Sequence, residues 1–166
     1  MINKKTFSFL ISFLLIIFIF TGSAYSQSTK SVTTSGTGHE DLVIQKGDQQ
    51  SVDLNQDGER QRAFIFQTGF GQSVDVSQSG IYNLAFIHQI LNNMKGDSTQ
   101  TAMLTQSGFN NILFVRQSEL NNASFLQEGS GNTIFYHQEP DSLENRPSEI
   151  NIKQTGNGNR ATVIQN

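Results

Sequence analysis

The sequence predicts an all-β protein, a two-sheet β-solenoid of about five strand-turn-strand repeats held by cross-β stacking, and three observations carry that expectation. Glutamine recurs at positions 45, 56, 67, 78, 89, 106, 117, 127, 138, 154 and 165, and seven of these ten intervals are 11 residues. Self-similarity at a fixed period marks a repeat architecture. A second observation is the phrase Q-x-G-x-x-[NQ], which begins at Gln56, Gln67, Gln78, Gln106, Gln127 and Gln154. Its glycines, Gly58, Gly69, Gly80, Gly108, Gly129 and Gly156, supply turns with positive φ, a region that asparagine also tolerates. The third is the alternation before each glutamine, as in AFIFQ, ILFVRQ and TIFYHQ, the period-2 pattern of a strand rich in β-branched and aromatic residues.

Residues 1–26 read as a signal peptide: Lys4 and Lys5 precede the apolar run Phe7 to Phe20, and Ala24 and Ser26 stand at the small-residue positions of a cleavage site. That run is short for a membrane span of about 20 residues, so the mature chain is expected to carry no transmembrane segment. Its removal takes two lysines from a chain of net charge -3 and leaves it more acidic, which excludes the basic surface that nucleic acid requires. Only 15% of residues are charged, well below the roughly 25% of ordinary globular domains, so the polar surface is built from neutral amides and hydroxyls instead. The absence of cysteine removes disulfides, thiolate metal sites and a lipid-modified N-terminal cysteine.

Residues 27–41 read as a flexible polar leader, followed by a partial strand from Leu42 to Gln45 and by units at 51–67, 73–89, 100–117, 121–138 and 148–165 within a solenoid spanning 42–166. The two long glutamine intervals contain ILNNMKGDS after Gln89 and EPDSLENRP after Gln138, loop-forming inserts that a stacked register can tolerate. A unit of two strands cannot bury its own face, so units are expected to stack, each strand pairing with its equivalent in the next. With every glutamine pointing inward, Ile65, Val76, Ile87, Leu104, Val115, Ile152 and Val163 lie two positions earlier and Ala63, Val74, Ala85, Ala102, Leu113, Ile150 and Ala161 four earlier. The interior is then a thin aliphatic strip bordered by polar columns. Those columns are Gln56, Gln67, Gln78, Gln89, Gln106, Gln117, Gln127, Gln138, Gln154 and Gln165, with Asn83, Asn111, Asn132, Ser148 and Asn159 at the turns. Stacked amides pair with the copies above and below, as in cross-β assemblies.

The same parity turns Phe64, Phe86, Phe114 and Phe135 outward, with Phe66, His88, Arg116 and His137 two residues further on. The phenylalanine column is either ordinary cross-strand aromatic pairing or a lateral contact surface. No hydrolase, nucleotide or zinc-protease motif is present. His88 and His137 read as solvent-facing decoration rather than metal ligands, and the scattered acids Asp53, Asp75, Asp97 and Glu119 as solubility and edge protection. Neither enzyme activity nor a cofactor is expected.

Ser148, Gln154, Gly156, Asn159, Ala161 and Gln165 fall at the spacing S-x5-Q-x-G-x2-N-x-A-x3-Q, which resembles the curlin repeat of bacterial curli fibres. Gln78, Gly80, Asn83, Ala85 and Gln89 match the same phrase, with Ser73 one residue out of place. The resemblance covers residues 42 to 166. It implies secreted functional-amyloid subunits that leave the cell through a dedicated curli secretion pore with accessory proteins, then polymerise with themselves and other curli subunits as extracellular fibres of biofilm matrix and adhesion. Residues 27–41 stand where similar proteins carry a secretion-recognition segment. Gln61 and Gln72 replace the usual Asn or Ser, Leu113 replaces Ala, Glu119 breaks a glycine position, and the two inserts interrupt the array. These departures point to a minor, nucleator-like subunit, whereas the regular last repeat points to a polymerising one, and both roles stay open. With only Asn166 after Gln165, the last rung is expected to present an open edge. A reading of another class, a monomeric solenoid binding ice or polysaccharide, would call for aligned outward threonine rows, and Thr101, Thr105, Thr133 and Thr162 do not align.

Overall fold

The structure, a computed structural model, describes residues 28–91, 99–118, 121–139 and 148–165. These residues form twelve strands: β1 (Thr29–Thr37), β2 (Glu40–Asp48), β3 (Ser51–Glu59), β4 (Arg62–Phe70), β5 (Gln72–Ile81), β6 (Leu84–Leu91), β7 (Gln100–Phe109), β8 (Ile112–Ser118), β9 (Asn121–Ser130), β10 (Thr133–Gln138), β11 (Ser148–Asn157) and β12 (Arg160–Gln165). Odd-numbered strands make one six-stranded sheet and even-numbered strands the other, and every pairing is parallel. Strands consecutive in sequence lie in opposite sheets, so each pair and its connecting arc form one rung of a two-sheet solenoid.

Register is held across unequal chain lengths. Gly58 pairs with Gly80, Gly80 with Gly108, Gly108 with Gly129 and Gly129 with Gly156, although the insert after Gln89 intervenes in one step and the insert after Gln138 in another. Of the inserts, Ile90 and Leu91 extend β6 and Glu139 follows β10, while 92–98 and 140–147, with Glu119, lie outside the described residues. The expected signal peptide also lies outside them.

One expectation is corrected. Within the stretch 27–41, expected as a flexible leader, Thr29–Thr37 form β1 in register with β3, and Glu40 begins β2 in register with β4. The expected partial strand is therefore the middle of a complete sixth rung.

Period-2 alternation decides which side chains enter the core. Each of the five following rungs buries or half-buries four apolar residues between its sheets, and each such set contains one alanine: Ala63, Ala85, Ala102, Ala123 and Ala161. Leu113, where the repeat has alanine, is matched by Ala102 where the rung before has Val74, so the swap moves volume between sheets and preserves rung width. The rung of β9 and β10 is the wide one, with Phe125 and Tyr136 fully enclosed, their ring centroids 5.5 Å apart.

Each arc that lies wholly within the described residues contains two left-handed residues separated by one. In the arc after Gln106 these are Gly108 (φ 112°) and Asn110 (φ 55°), and elsewhere Arg60 and Tyr82 hold the second position. Asn110, rather than the amide Asn111 that follows it, thus takes the positive φ. The first position excludes any side chain, because a Cβ on Gly108 would lie 2.1 Å from the carbonyl oxygen of Gly129 in the next rung. The second has room: a Cβ on Gly131 would meet nothing nearer than 4.0 Å. Gly108→Ala is accordingly expected to cost about 3 kcal/mol or more and Gly131→Ala about 1 kcal/mol in guanidinium unfolding; equal costs would contradict this account of the arc.

Candidate functional site

The inward side chains of successive rungs line up in columns, and these columns, with the strand edges that end them, are what a further rung would meet. In the odd-numbered sheet Gln56, Gln78, Gln106, Gln127 and Gln154 are all buried. Each Nε2 donates to the Oε1 of the next, at 2.8, 2.8, 2.8 and 3.1 Å. In the even-numbered sheet Gln45 donates to Gln67, Gln67 to Gln89 and Gln89 to Gln117 at 2.9 to 3.0 Å. Gln138 is buried in the same column with its Oε1 unpartnered among the described residues.

The second amide proton of most of these glutamines ties the sheets together. Gln78 Nε2 donates to the carbonyl of Arg62 in β4, Gln106 to that of Leu84 in β6, and Gln89 to that of Ser73 in β5, at 3.1 to 3.4 Å. A primary amide offers two donors and a carbonyl, and a column in which each amide accepts from one rung and donates to the next satisfies all three. That explains glutamine here: its amide reaches both the next rung and the opposite backbone.

At the first arcs stand Gln61, Asn83, Asn111, Asn132 and Asn159. Asn111 shows their role: its Nδ2 donates to Ser107 O four residues back (3.1 Å) and to Gly129 O of the next rung (3.0 Å), while its backbone N–H donates to Asn83 Oδ1 (3.0 Å). Asn132 and Asn159 repeat the contact four residues back, as does Gln61, so glutamine here replaces asparagine without loss of function. The second arcs carry a matching column, Gln50 to Gln72 to Gln100, at 3.0 and 3.1 Å. Gln50 escaped the sequence reading, although Gln50, Gln61 and Gln72 form an offset series with the same 11-residue spacing. Ser148 pairs through its backbone with Asn121, and neither side chain is described.

The outward face of the even-numbered sheet carries the phenylalanines. Phe86 and Phe114 stack at 4.6 Å with planes 3° apart, and Phe114 and Phe135 at 5.1 Å and 8°. Phe64 is the register partner of Phe86, whose ring lies against Phe66 at 5.5 Å. In the neighbouring column His88, Arg116 and His137 are successive register partners. Burial, then the Arg116 charge, holds the His88 imidazole below its usual pKa. On the other sheet Asp75 lies beside Asp53, and burial, then that like charge, pushes its carboxyl up.

The first rung differs from the rest in its columns. Lys30 stands at the position of Val52, Thr34 at that of Gln56, and Asp41 at that of Ala63. His39 occupies the arc-amide position and makes its contact, Nε2 lying 3.1 Å from the carbonyl of Ser35. These residues were missed because none resembles the repeat; projecting the 22-residue step upstream from Val52, Gln61 and Ala63 would have reached them.

Among the described residues no group of three or more His, Asp or Glu side chains could hold a metal ion, and no helix is long and apolar enough to cross a membrane.

Fold and columns define a class: an all-β repeat protein whose rungs stack in register as a two-sheet solenoid. Residues 47–80, from the end of β2 through most of β5, match the family model described as the curlin associated repeat. No curated protein and no solved structure matches the chain.

Two predictions test the columns. Gln106→Ala removes the acceptor of Gln78, the donor to Gln127 and the tie to Leu84, leaving buried groups that each cost about 1 to 3 kcal/mol. A loss of about 3 to 5 kcal/mol is expected, against under about 0.5 kcal/mol for the outward Met103→Ala; similar losses in guanidinium unfolding would remove the columns from the account. Tyr136 donates to Gln165 Oε1 at 3.2 Å, and burial pushes its phenol up to about 12 from 10.0. Because the folded value is raised, its stabilisation is complete below pH 10 and lost as pH rises toward about 12. Thermal unfolding should show an alkaline loss in that window that Tyr136→Phe diminishes; an unchanged profile would contradict it.

Proposed function

We propose that this protein is a structural subunit of extracellular curli-type amyloid fibres, added end to end by stacking its rungs on those of neighbouring subunits in biofilm matrix and cell adhesion. The reading is structural rather than catalytic. The observation that carries it is the outermost rung of β11 and β12. Its interior positions, Ile150, Ile152, Gln154, Asn159, Ala161 and Val163, have the chemistry of the rungs within the stack, and among the described residues β11 and β12 are each the last strand of their sheet. A strand edge with the right columns is a template for the next strand. Export through the periplasm and a curli secretion pore is part of the same reading, and the match to the curlin associated repeat supports it.

The first rung favours a second reading, in which the protein is a minor subunit that starts fibre growth at the cell surface. Ice or glycan binding by a monomeric solenoid finds less support, since Thr101, Thr105, Thr133 and Thr162 are register partners of Asn122, Leu126, Ile112 and Phe135 and so form no common row.

The purified mature chain, alone or on immobilised copies of itself, is expected to give thioflavin-positive fibres with a meridional reflection at about 4.8 Å. Persistence as a monomer at high concentration over days, with no growth on immobilised copies, would sink the proposal.

A further inference from the structure

The two ends of the stack are chemically unequal. At one end, β11 and β12 place Ile150, Gln154, Asn159 and Ala161 in the interior columns, in register with or equivalent to Ala123, Gln127, Asn132 and Ile134. At the other end the corresponding positions are Lys30, Thr34, His39 and Asp41. Three ionisable residues thus point toward the interior in the first rung, where the next carries Val52, Gln61 and Ala63.

The amide columns break at the same place. In the odd-numbered sheet each glutamine donates toward the higher-numbered rung, so the first of them, Gln56, needs a donor from the rung before it. Thr34 stands there, and Gln56 Oε1 is buried without a partner among the described residues. Gln61 Oε1 shares that condition below His39. Both carboxylate oxygens of Asp41 are buried with no hydrogen bond of normal geometry, although the Gln56 side chain lies close enough to act on them. Burial pushes the Asp41 carboxyl up, against the pull of Gln56, His39, Lys30 and the Ala63 backbone, and burial likewise lowers the Lys30 ammonium, against the pull of Asp41. Both shifts mark charge held at a partly desolvated position.

A junction between two copies of this chain would lay the first rung of one on the last rung of the other, Lys30 over Ile150 and Asp41 over Ala161, enclosing both ions. Removing an ion from water costs several kcal/mol even after relaxation, and inward-pointing charge is an established device for blunting strand edges. A chain whose first rung carries aliphatic and amide side chains at those positions would bury no charge on the same β11–β12 edge, and its glutamines would continue the columns.

Building on the stacking reading, we infer that the protein is a one-ended template: its β11–β12 edge preferentially accepts the first rung of a different curlin-repeat chain with an uncharged interior, while Lys30 and Asp41 in its own β1–β2 rung slow, without abolishing, the head-to-tail junction with itself. Specificity then rests on a repulsive element as much as on complementary columns.

The test uses wild-type chains immobilised as seeds. Soluble wild type is compared with soluble Lys30→Val/Asp41→Ala, which copies the residues of the next rung, and with Lys30→Gln/Asp41→Asn, which removes the charges with little change of shape and serves should the first variant fail to fold. Either neutral variant is expected to add to wild-type seeds at least about tenfold faster than wild type does. Seeds carrying Ile150→Lys/Ala161→Asp, with charge at the accepting edge, should support no fast addition. Equal addition by wild type and neutral variants would overturn the inference and leave the stacking reading standing; no addition by any of them would overturn both.

Discussion

Everything in this solenoid depends on the close approach of successive arcs. A Cβ on Gly36, Gly58, Gly80, Gly108 or Gly129 would fall 1.7 to 2.1 Å from the carbonyl oxygen of the glycine in the next rung, so the arcs stack only because that position is bare. The glycine carbonyls turned toward the interior would be orphaned, and they are not: Asn83 donates to Gly108 O, Asn111 to Gly129 O and Asn132 to Gly156 O. Glycine and amide are thus one device, and the pair sets the register. Register in turn sets parity, because a slip of one residue would exchange the inner and outer faces of every strand.

With register fixed, the interior needs only to keep its width. The polar columns admit few residue types because their bonds depend on reach, whereas the aliphatic positions vary freely as long as each rung sums to similar volume. Leu113 with Ala102 shows this, and the wide rung of Phe125 and Tyr136 is the exception. The chain can therefore diverge in sequence, and carry inserts between rungs, while Gly80, Gly108, Gly129 and Gly156 remain stacked. The outward faces are under no such constraint, which leaves one sheet with stacked Phe86, Phe114 and Phe135 and the other with Asp53 and Asp75.

Period, parity and the inward glutamines were legible in the sequence because they are direct projections of stacking onto the chain: one rung every 21 or 22 residues where no insert intervenes, alternate side chains inward, a glycine two residues after most of the glutamines. The stacking of Phe86 on Phe114 followed from the same parity. What could not be read were the places where the geometry persists without the residues that usually mark it. Lys30, His39 and Asp41 occupy rung positions yet look like a polar leader, since only the neighbouring strand, and not their own chemistry, identifies them as inward. The second left-handed residue of each arc was hidden for a similar reason: the backbone imposes it on Arg60 and Tyr82, whose side chains have no preference for it. Tyr136 was readable in principle, two positions before Gln138, but an enclosed tyrosine needs a partner for its hydroxyl, and Gln165 is found only once the next rung is in place.

The central claim is that the rungs of one chain stack in register, with the inserts leaving the axial repeat unchanged. The chain has no cysteine, so a spin-labelled Asp53→Cys/Asn151→Cys pair reports a single distance. Both residues face outward in one column, joined through Asp75, Met103 and Ser124, and four steps of about 4.8 Å place their backbones about 19 Å apart. A narrow distribution near that value, with allowance for the label arms, is the predicted result in the soluble monomer. A broad distribution reaching beyond about 40 Å, as in a flexible chain of that length, would contradict it.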